Sequence, residues 1–208
     1  MEDPERVYID AAAVLSAGTE IYPDVHLKGR TSVAEGAIVG PGVFAVDSRI
    51  GPGTRVSYSV LTSVVVGAGA IIGPYAHLRP GSVLGDDTKV GSFVKTKAAT
   101  IGAGTRVAHL AYVGDAEIGE EANIGAGAVT VNYDGFAKHR TVIGDRARVG
   151  SATMLVAPLE IGDDASTAAG SVITKNVPPG ALGVERSPQR QVPGYAARRQ
   201  HRANREPS

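Results

Sequence analysis

An aliphatic residue returns at every sixth position along most of this chain, and that period excludes most folds at once. One run is Val66, Ile72, Leu78, Leu84 and Val90; another is Ile143, Val149, Leu155 and Ile161, continuing through Thr167 and Ile173. Shorter runs are Val33–Val39, Ile50–Val56, Ile101–Val107–Val113 and Ile118–Ile124, with a step of five from Val113 to Ile118. Glycine follows many of these positions, as at Gly40, Gly67, Gly91, Gly125 and Gly150. An amphipathic helix needs a period near 3.6 and does not tolerate such a glycine load. A sandwich or ordinary barrel shows two-fold alternation between turns spaced about 8 to 12 residues apart. Six residues instead supply one short strand and one tight turn, and three such units close a triangular coil. The aliphatic side chain points inward onto its equivalent one coil away, and the small residue lets the corner turn. The expected fold is therefore all-β, a parallel β-helix of hexapeptide repeats.

Composition supports that reading. The 208 residues suit one domain. With three Phe and no Trp, the core must come from Val, Ile, Leu and Ala, which favours narrow, repetitive β architecture. Lys plus Arg and Asp plus Glu both number 21, so no global charge points to nucleic acid or an anionic membrane. No apolar run approaches the roughly 20 residues of a membrane helix, and no signal peptide opens the chain. The absence of cysteine removes disulfides and thiol nucleophiles and is compatible with the cytosol. The expectation is a cytoplasmic protein with no membrane or nucleic-acid partner.

Two segments break the hexads. Residues 131–142, "VNYDGFAKHRTV", must project from the prism as a loop, and loops on rigid scaffolds are where sites concentrate. Residues 1–185 read as the repeat domain and 186–208 as a basic tail, with Arg at 186, 190, 198, 199, 202 and 205. The tail reads as partly disordered over its last ten residues, or as an arm meeting a phosphate-bearing ligand.

A smooth prism has no deep cleft of its own, so an enzyme of this shape would place its site between prisms of a trimer. Arg79, Lys97 and Lys138 are the cations nearest the irregular region, and Lys95 and Lys97, two apart, share one strand face. Each alone also fits a plain surface charge. His109 lies at a corner beside Tyr112 and has the chemistry of a base for amine attack, although a lone histidine also fits a structural role. A three-histidine metal site would need His26, His77, His109, His139 and His201 to show ligand spacing, and they do not. No metal is expected. Phosphate-loop and dinucleotide motifs are absent, because the glycines belong to the hexad.

The motifs "RPGSVLG", "AHLAYVGDAEIGEEANIGAGAVTVNYDG", "KHRTVIGD", "VGSATMLVAP", "AAGSVITKNVPPGAL" and "RSPQRQ" resemble one family closely. It is the acetyltransferase domain of the bacterial bifunctional N-acetylglucosamine-1-phosphate uridyltransferase/glucosamine-1-phosphate N-acetyltransferases. The resemblance runs from about residue 3 to 195 and is most specific over 77–190. It implies a left-handed coil, a homotrimer, and acetyl-CoA as cosubstrate. It implies His109 as catalytic base, Arg79 and Lys97 on the sugar phosphate with Lys138 from the loop, and Tyr112 and Asn123 on the sugar. Ala126, Asn132, Tyr133, Ser151, Ala169 and Arg186 match acetyl-CoA contacts, and Tyr195 stands near the adenine. The uridyltransferase domain has no counterpart in this sequence, so no uridyltransferase activity is expected.

Three positions depart from the family pattern. Lys95 stands where the family has a glutamate, Ala111 replaces a Thr or Ser, and Ala152 replaces an Asp. The expectation is that all three lie around the acceptor amine, where a cation in place of carboxylates disfavours an ammonium group. Three functions follow: N-acetylation of glucosamine-1-phosphate, N-acylation of another amine in a specialised pathway, or a non-catalytic hexapeptide scaffold.

Overall fold

The structure, a computed structural model, describes residues 3–203. It is a left-handed parallel β-solenoid of about 10 turns, preceded by the short 3-10 turn Pro4–Arg6. Each coil contributes a strand to each of three faces. The first face runs from Val7–Ile9 through Val60–Thr62 and His77–Leu78 to Val172–Ile173. The second includes Val14–Leu15, Val83–Leu84 and Leu159–Ile161, and the third runs from Glu20–Ile21 to Leu182–Gly183. The first two faces merge into one sheet because Lys95–Ile101 and Tyr112–Ile118 each continue round the corner between them. The third face is a separate ten-stranded ladder.

The hexads set this register. On the third face Ile21, Val39, Val56, Ile72 and Val90 stack inward, one per coil, each almost fully buried. On the second face Ile50, Val66, Leu84, Ile101 and Ile118 do the same. Burying each of these side chains is worth about 1.5–3 kcal/mol. Buried hydroxyls stitch the corners: Thr105 Oγ1 donates to the Gly119 carbonyl at 2.7 Å and accepts the Ala122 N–H at 2.9 Å. At Gly91 the next coil lies so close that a Cβ would stand 1.7 Å from the Ala108 oxygen. Only a residue without a side chain allows that approach, and it sets the height of the adjoining His109 corner.

The insertion is narrower than residues 131–142, because Val129–Val131 and Thr141–Ile143 still pair as coil strands. The loop proper spans 132–140 and folds on itself through an antiparallel bridge between Tyr133 and Lys138. The tail also differs from the sequence reading. Tyr195–Ala203 is an α-helix, exposed from Tyr195 to Arg202, while residues 204–208, including Arg205, lie outside the described residues.

Among the described residues one buried side-chain polar atom has no partner: Thr141 Oγ1, on a fully buried residue just after the loop. An unpaired buried hydroxyl costs about 1–3 kcal/mol. Thr141→Val keeps the shape and removes that cost, so thermal unfolding of the variant should show a midpoint equal to or above the wild type.

Candidate functional site

One coil takes 16 to 18 residues, and 25 where the loop intervenes. Residues separated by those steps therefore stand in columns along the prism. His109, Ala126, Ser151 and Ala169 form one column at the corner between the third and first faces. The Gly127 N–H donates to the His109 carbonyl at 3.0 Å, the Ala152 N–H to Ala126 at 2.8 Å, and the Gly170 N–H to Ser151 at 2.8 Å. Arg186 extends the column, its guanidinium donating to the Ala169 carbonyl at 3.0 Å. The N–H groups of Ala126, Ser151 and Ala169 donate no backbone hydrogen bond. With coils about 4.8 Å apart, this edge offers a ladder of open donors below an exposed imidazole.

A second column lies on the opposite edge of the first face. Arg79, Lys97 and Gly114 follow one another in register, Asp115 stands one residue further on with Asn132 a coil beyond it, and the loop brings Lys138 against them. Lys97 Nζ is 3.9 Å from Asp115 Oδ1, with both side chains about a quarter exposed or less at 25% and 22%. The amide of Asn132, itself buried, donates to the other Asp115 oxygen and reaches 3.5 Å from the Tyr112 hydroxyl. The Lys97 ammonium is held below its usual pKa, chiefly by its contact with Lys138 and then by burial, while Asp115 acts in the opposite sense. Asp115 was not singled out in the sequence. Its signal was the coil spacing, which puts it one step before Asn132 and next to Gly114, the residue one step from Lys97.

Asp134 shapes the loop that carries Lys138. It accepts the Phe136 and Ala137 N–H groups at 2.8 and 2.7 Å and pairs with His139 Nε2 at 2.7 Å. The Tyr133 hydroxyl donates to the Gly135 carbonyl at 2.7 Å, and Arg140 pairs with Glu117 at the base of the loop. A cavity of about 300 Å³ opens beneath, lined by Gly81, Ala98, Asp115, Lys138, His139 and Arg140. A second cavity, about 450 Å³, opens among Ile173, Val177 and Leu182 at the end of the hydrophobic stack, away from both columns.

The remaining expected residues divide between these places. Tyr112 sits between the columns on the first face, with its hydroxyl against Gly114. Asn132 and Tyr133, expected with the acyl donor, stand on the cation edge instead. Asn123 lies on the third face, paired in register with Arg106 and Arg148 and apart from both columns. Tyr195 begins the solvated helix, 61% exposed. The faces of a prism look away from one another, so one chain does not bring all these groups to a single point. Among the described residues no group of three His, Asp or Glu could hold a metal, and no helix is long and apolar enough to cross a membrane.

The three departures do not cluster as expected. Ala111 is 2% exposed, inside the core in the same inward column as Ser59 and Ala76. A hydroxyl there would bond to the backbone as Ser59 does, donating to the Ser57 carbonyl and accepting the Ala76 N–H. Ala152 lies on the His109 edge with a left-handed φ of 54°, a conformation an asparagine, aspartate or glycine adopts more readily. Only Lys95 faces outward among the cations, in register between His77 and Tyr112.

The Asp134 carboxyl is held well below its ordinary pKa of 3.8, first by the Ala137 N–H, then by His139 and the Phe136 N–H. A depressed folded pKa contributes stability above the ordinary value that is lost only as pH falls through the depressed one. The Phe136 and Ala137 amides should thus remain protected from hydrogen exchange at pH 4 and lose protection well below it. In Asp134→Asn, protection should fall at every pH.

Comparison with known proteins agrees with this architecture. The family described as bacterial transferase hexapeptide (six repeats) matches residues 63–98. The bifunctional protein GlmU of Streptomyces avermitilis is 51% identical over 197 residues, 95% of this chain and 41% of that protein. GlmU of Mycolicibacterium gilvum is 50% identical over 197 residues, covering 95% and 40% respectively. The chain thus spans about two fifths of the length of these relatives. Among solved structures, an Arabidopsis UDP-N-acetylglucosamine acyltransferase superposes with a TM-score of 0.53 at 17% identity, over 96% of this chain and 77% of that one, a likeness of fold. Hexad, solenoid and alignment together make this chain a hexapeptide-repeat β-solenoid that is similar, over 95% of its length, to about two fifths of the bifunctional GlmU proteins.

Proposed function

We propose that the protein is an acetyl-CoA-dependent N-acetyltransferase acting on the amine of an amino sugar phosphate, with glucosamine-1-phosphate as the reference acceptor. The observation that carries this reading is the pair of columns on the two edges of the first face. One offers an imidazole, open N–H groups and Arg186, and suits a long thioester ligand with phosphates at its far end. The other offers three cations round one carboxylate and suits a phosphate. Tyr112–Gly114, the stretch of strand between the edges, spans roughly 10 Å, too wide for direct transfer within one chain. Packing prisms side by side sets the donor edge of one against the cation edge of the next, and the third face supplies Asn123. The active assembly is accordingly a homotrimer.

In that groove Arg79, Lys97 and Lys138 hold the phosphate and place the amine beside the thioester carbonyl. The amine nitrogen attacks the carbonyl carbon while His109 takes its proton. The Ala126 N–H supports the developing oxyanion. The C–N bond forms, the C–S bond breaks, and CoA thiolate leaves and takes up the proton. No covalent enzyme intermediate is required.

Thiol release from acetyl-CoA with glucosamine-1-phosphate tests the reaction. His109→Ala should lower turnover by about 10²- to 10⁴-fold and leave CoA affinity nearly intact. Unchanged turnover in that variant would remove His109 from the chemistry. Light scattering should give three times the chain mass of 21.3 kDa, and a monomer mass would remove the intersubunit site.

A further inference from the structure

Resting on the acyl-transfer reading, we propose that the natural acceptor carries a second anionic group besides its phosphate, and that Lys95 with Arg79 holds it. The first face bears two cationic foci that share Arg79. One is the Arg79–Lys97–Lys138 group already assigned to the phosphate. The other lies two residues back along the strand, where Lys95 stands in register with His77 on one side and Tyr112 on the other. Leu78 pairs with Thr96, so Arg79 and Lys97 continue the same register, and the Arg79 N–H donates to the Thr96 carbonyl at 2.9 Å.

Among the described residues, no carboxylate pairs with Arg79, Lys95 or Lys138; the carboxylate in the cluster is Asp115, shared between Lys97 and Asn132. Some cations elsewhere on this solenoid are paired across coils, while Arg49, Arg55, Lys89, Arg106 and Arg148 show no carboxylate partner among the described residues. Arg6 pairs with Asp24, Lys28 with Asp10, Arg140 with Glu117 and Arg146 with Asp164. Lys95 has instead two uncharged ladder neighbours beside a cluster that is already cationic. An arrangement that repels itself is favourable once an anion arrives. Burial first, and then Arg79 and Lys95, hold the His77 imidazole below its usual pKa, which registers the positive field at that spot. Residues two apart on a strand lie about 7 Å from each other, so the foci suit two anionic substituents on opposite sides of one sugar ring.

The test compares glucosamine-1-phosphate with two acceptors of the same skeleton bearing a second anion at the sixth carbon. These are glucosamine-1,6-bisphosphate and the 1-phosphate of 2-amino-2-deoxyglucuronic acid, which separate a phosphate from a carboxylate as that group. Thiol release should show kcat/KM at least tenfold higher for one or both of the doubly anionic acceptors. Lys95→Gln should remove that advantage through KM, lowering kcat/KM for the favoured acceptor at least tenfold more than for glucosamine-1-phosphate. Equal use of all three acceptors by the wild type, or an equal effect of Lys95→Gln on all three, overturns the proposal and leaves the acetyltransferase reading standing. A second readout needs no turnover. The His77 imidazole resonance, followed by NMR against pH, should titrate higher when the bisphosphate is bound, and less so in Lys95→Gln. Failure of every amine to release thiol, with that His77 response intact, would remove the acyl-transfer reading and retain the anion site. An unmoved His77 titration at saturating bisphosphate overturns the site itself.

Discussion

Everything in this molecule hangs on the parallel pairing of each coil with the next. A step of 16 to 18 residues returns the chain to the same face in the same orientation. The backbone ladder then satisfies the main-chain groups while one aliphatic side chain per strand drops onto its predecessor. Neither half stands alone. A single coil has two open edges and half a hydrophobic layer, and it becomes stable only when neighbours cover both. The cost of the arrangement concentrates at the corners, where Gly91 lies almost against the Ala108 carbonyl and residues such as Leu110, Asp115 and Ala152 adopt left-handed backbone.

The same periodicity manufactures the sites. A column of equivalent positions repeats at every coil, so any chemistry placed there is spaced at the ladder interval without further design. On one edge this yields open N–H groups from Ala126, Ser151 and Ala169 beneath His109. On the other it sets Arg79 and Lys97 in register, with Asp115 and Asn132 in the adjoining column. The inserted loop breaks the period once, and it does so where Lys138 can be laid against Lys97. Asp134 binds the loop to itself through two N–H groups and His139, which holds a cation next to other cations that would otherwise push it away.

Much of this was legible beforehand. A six-residue period can bury its aliphatic positions only in a three-faced coil, and the residues of the hexad runs are the ones found inside, Thr167 included at 4% exposed. The loop was visible because the period stops there. Less legible was which way a corner residue points. Ala111 follows Leu110, whose left-handed φ of 55° turns the next side chain into the core, so a position expected at the acceptor packs beneath it. Asp115 carries no local signal within "VGDAEIG", since its partners stand 18 residues before it and 17 after.

By itself the sequence determined the repeat, the three-sided coil and the inward columns, because each depends on residue type and on spacing within one hexad. Tertiary structure alone decided the grouping: His109 and Lys97 on opposite edges of one face, Asn123 on another face, Asn132 with the cations, and Lys95 as the one departure on the cation-bearing strand. The reason is physical. Grouping depends on the corners, where a change of one residue or one sign of φ rotates a side chain from one face to the next. That rotation is settled by the coils above and below the corner, which local spacing does not contain.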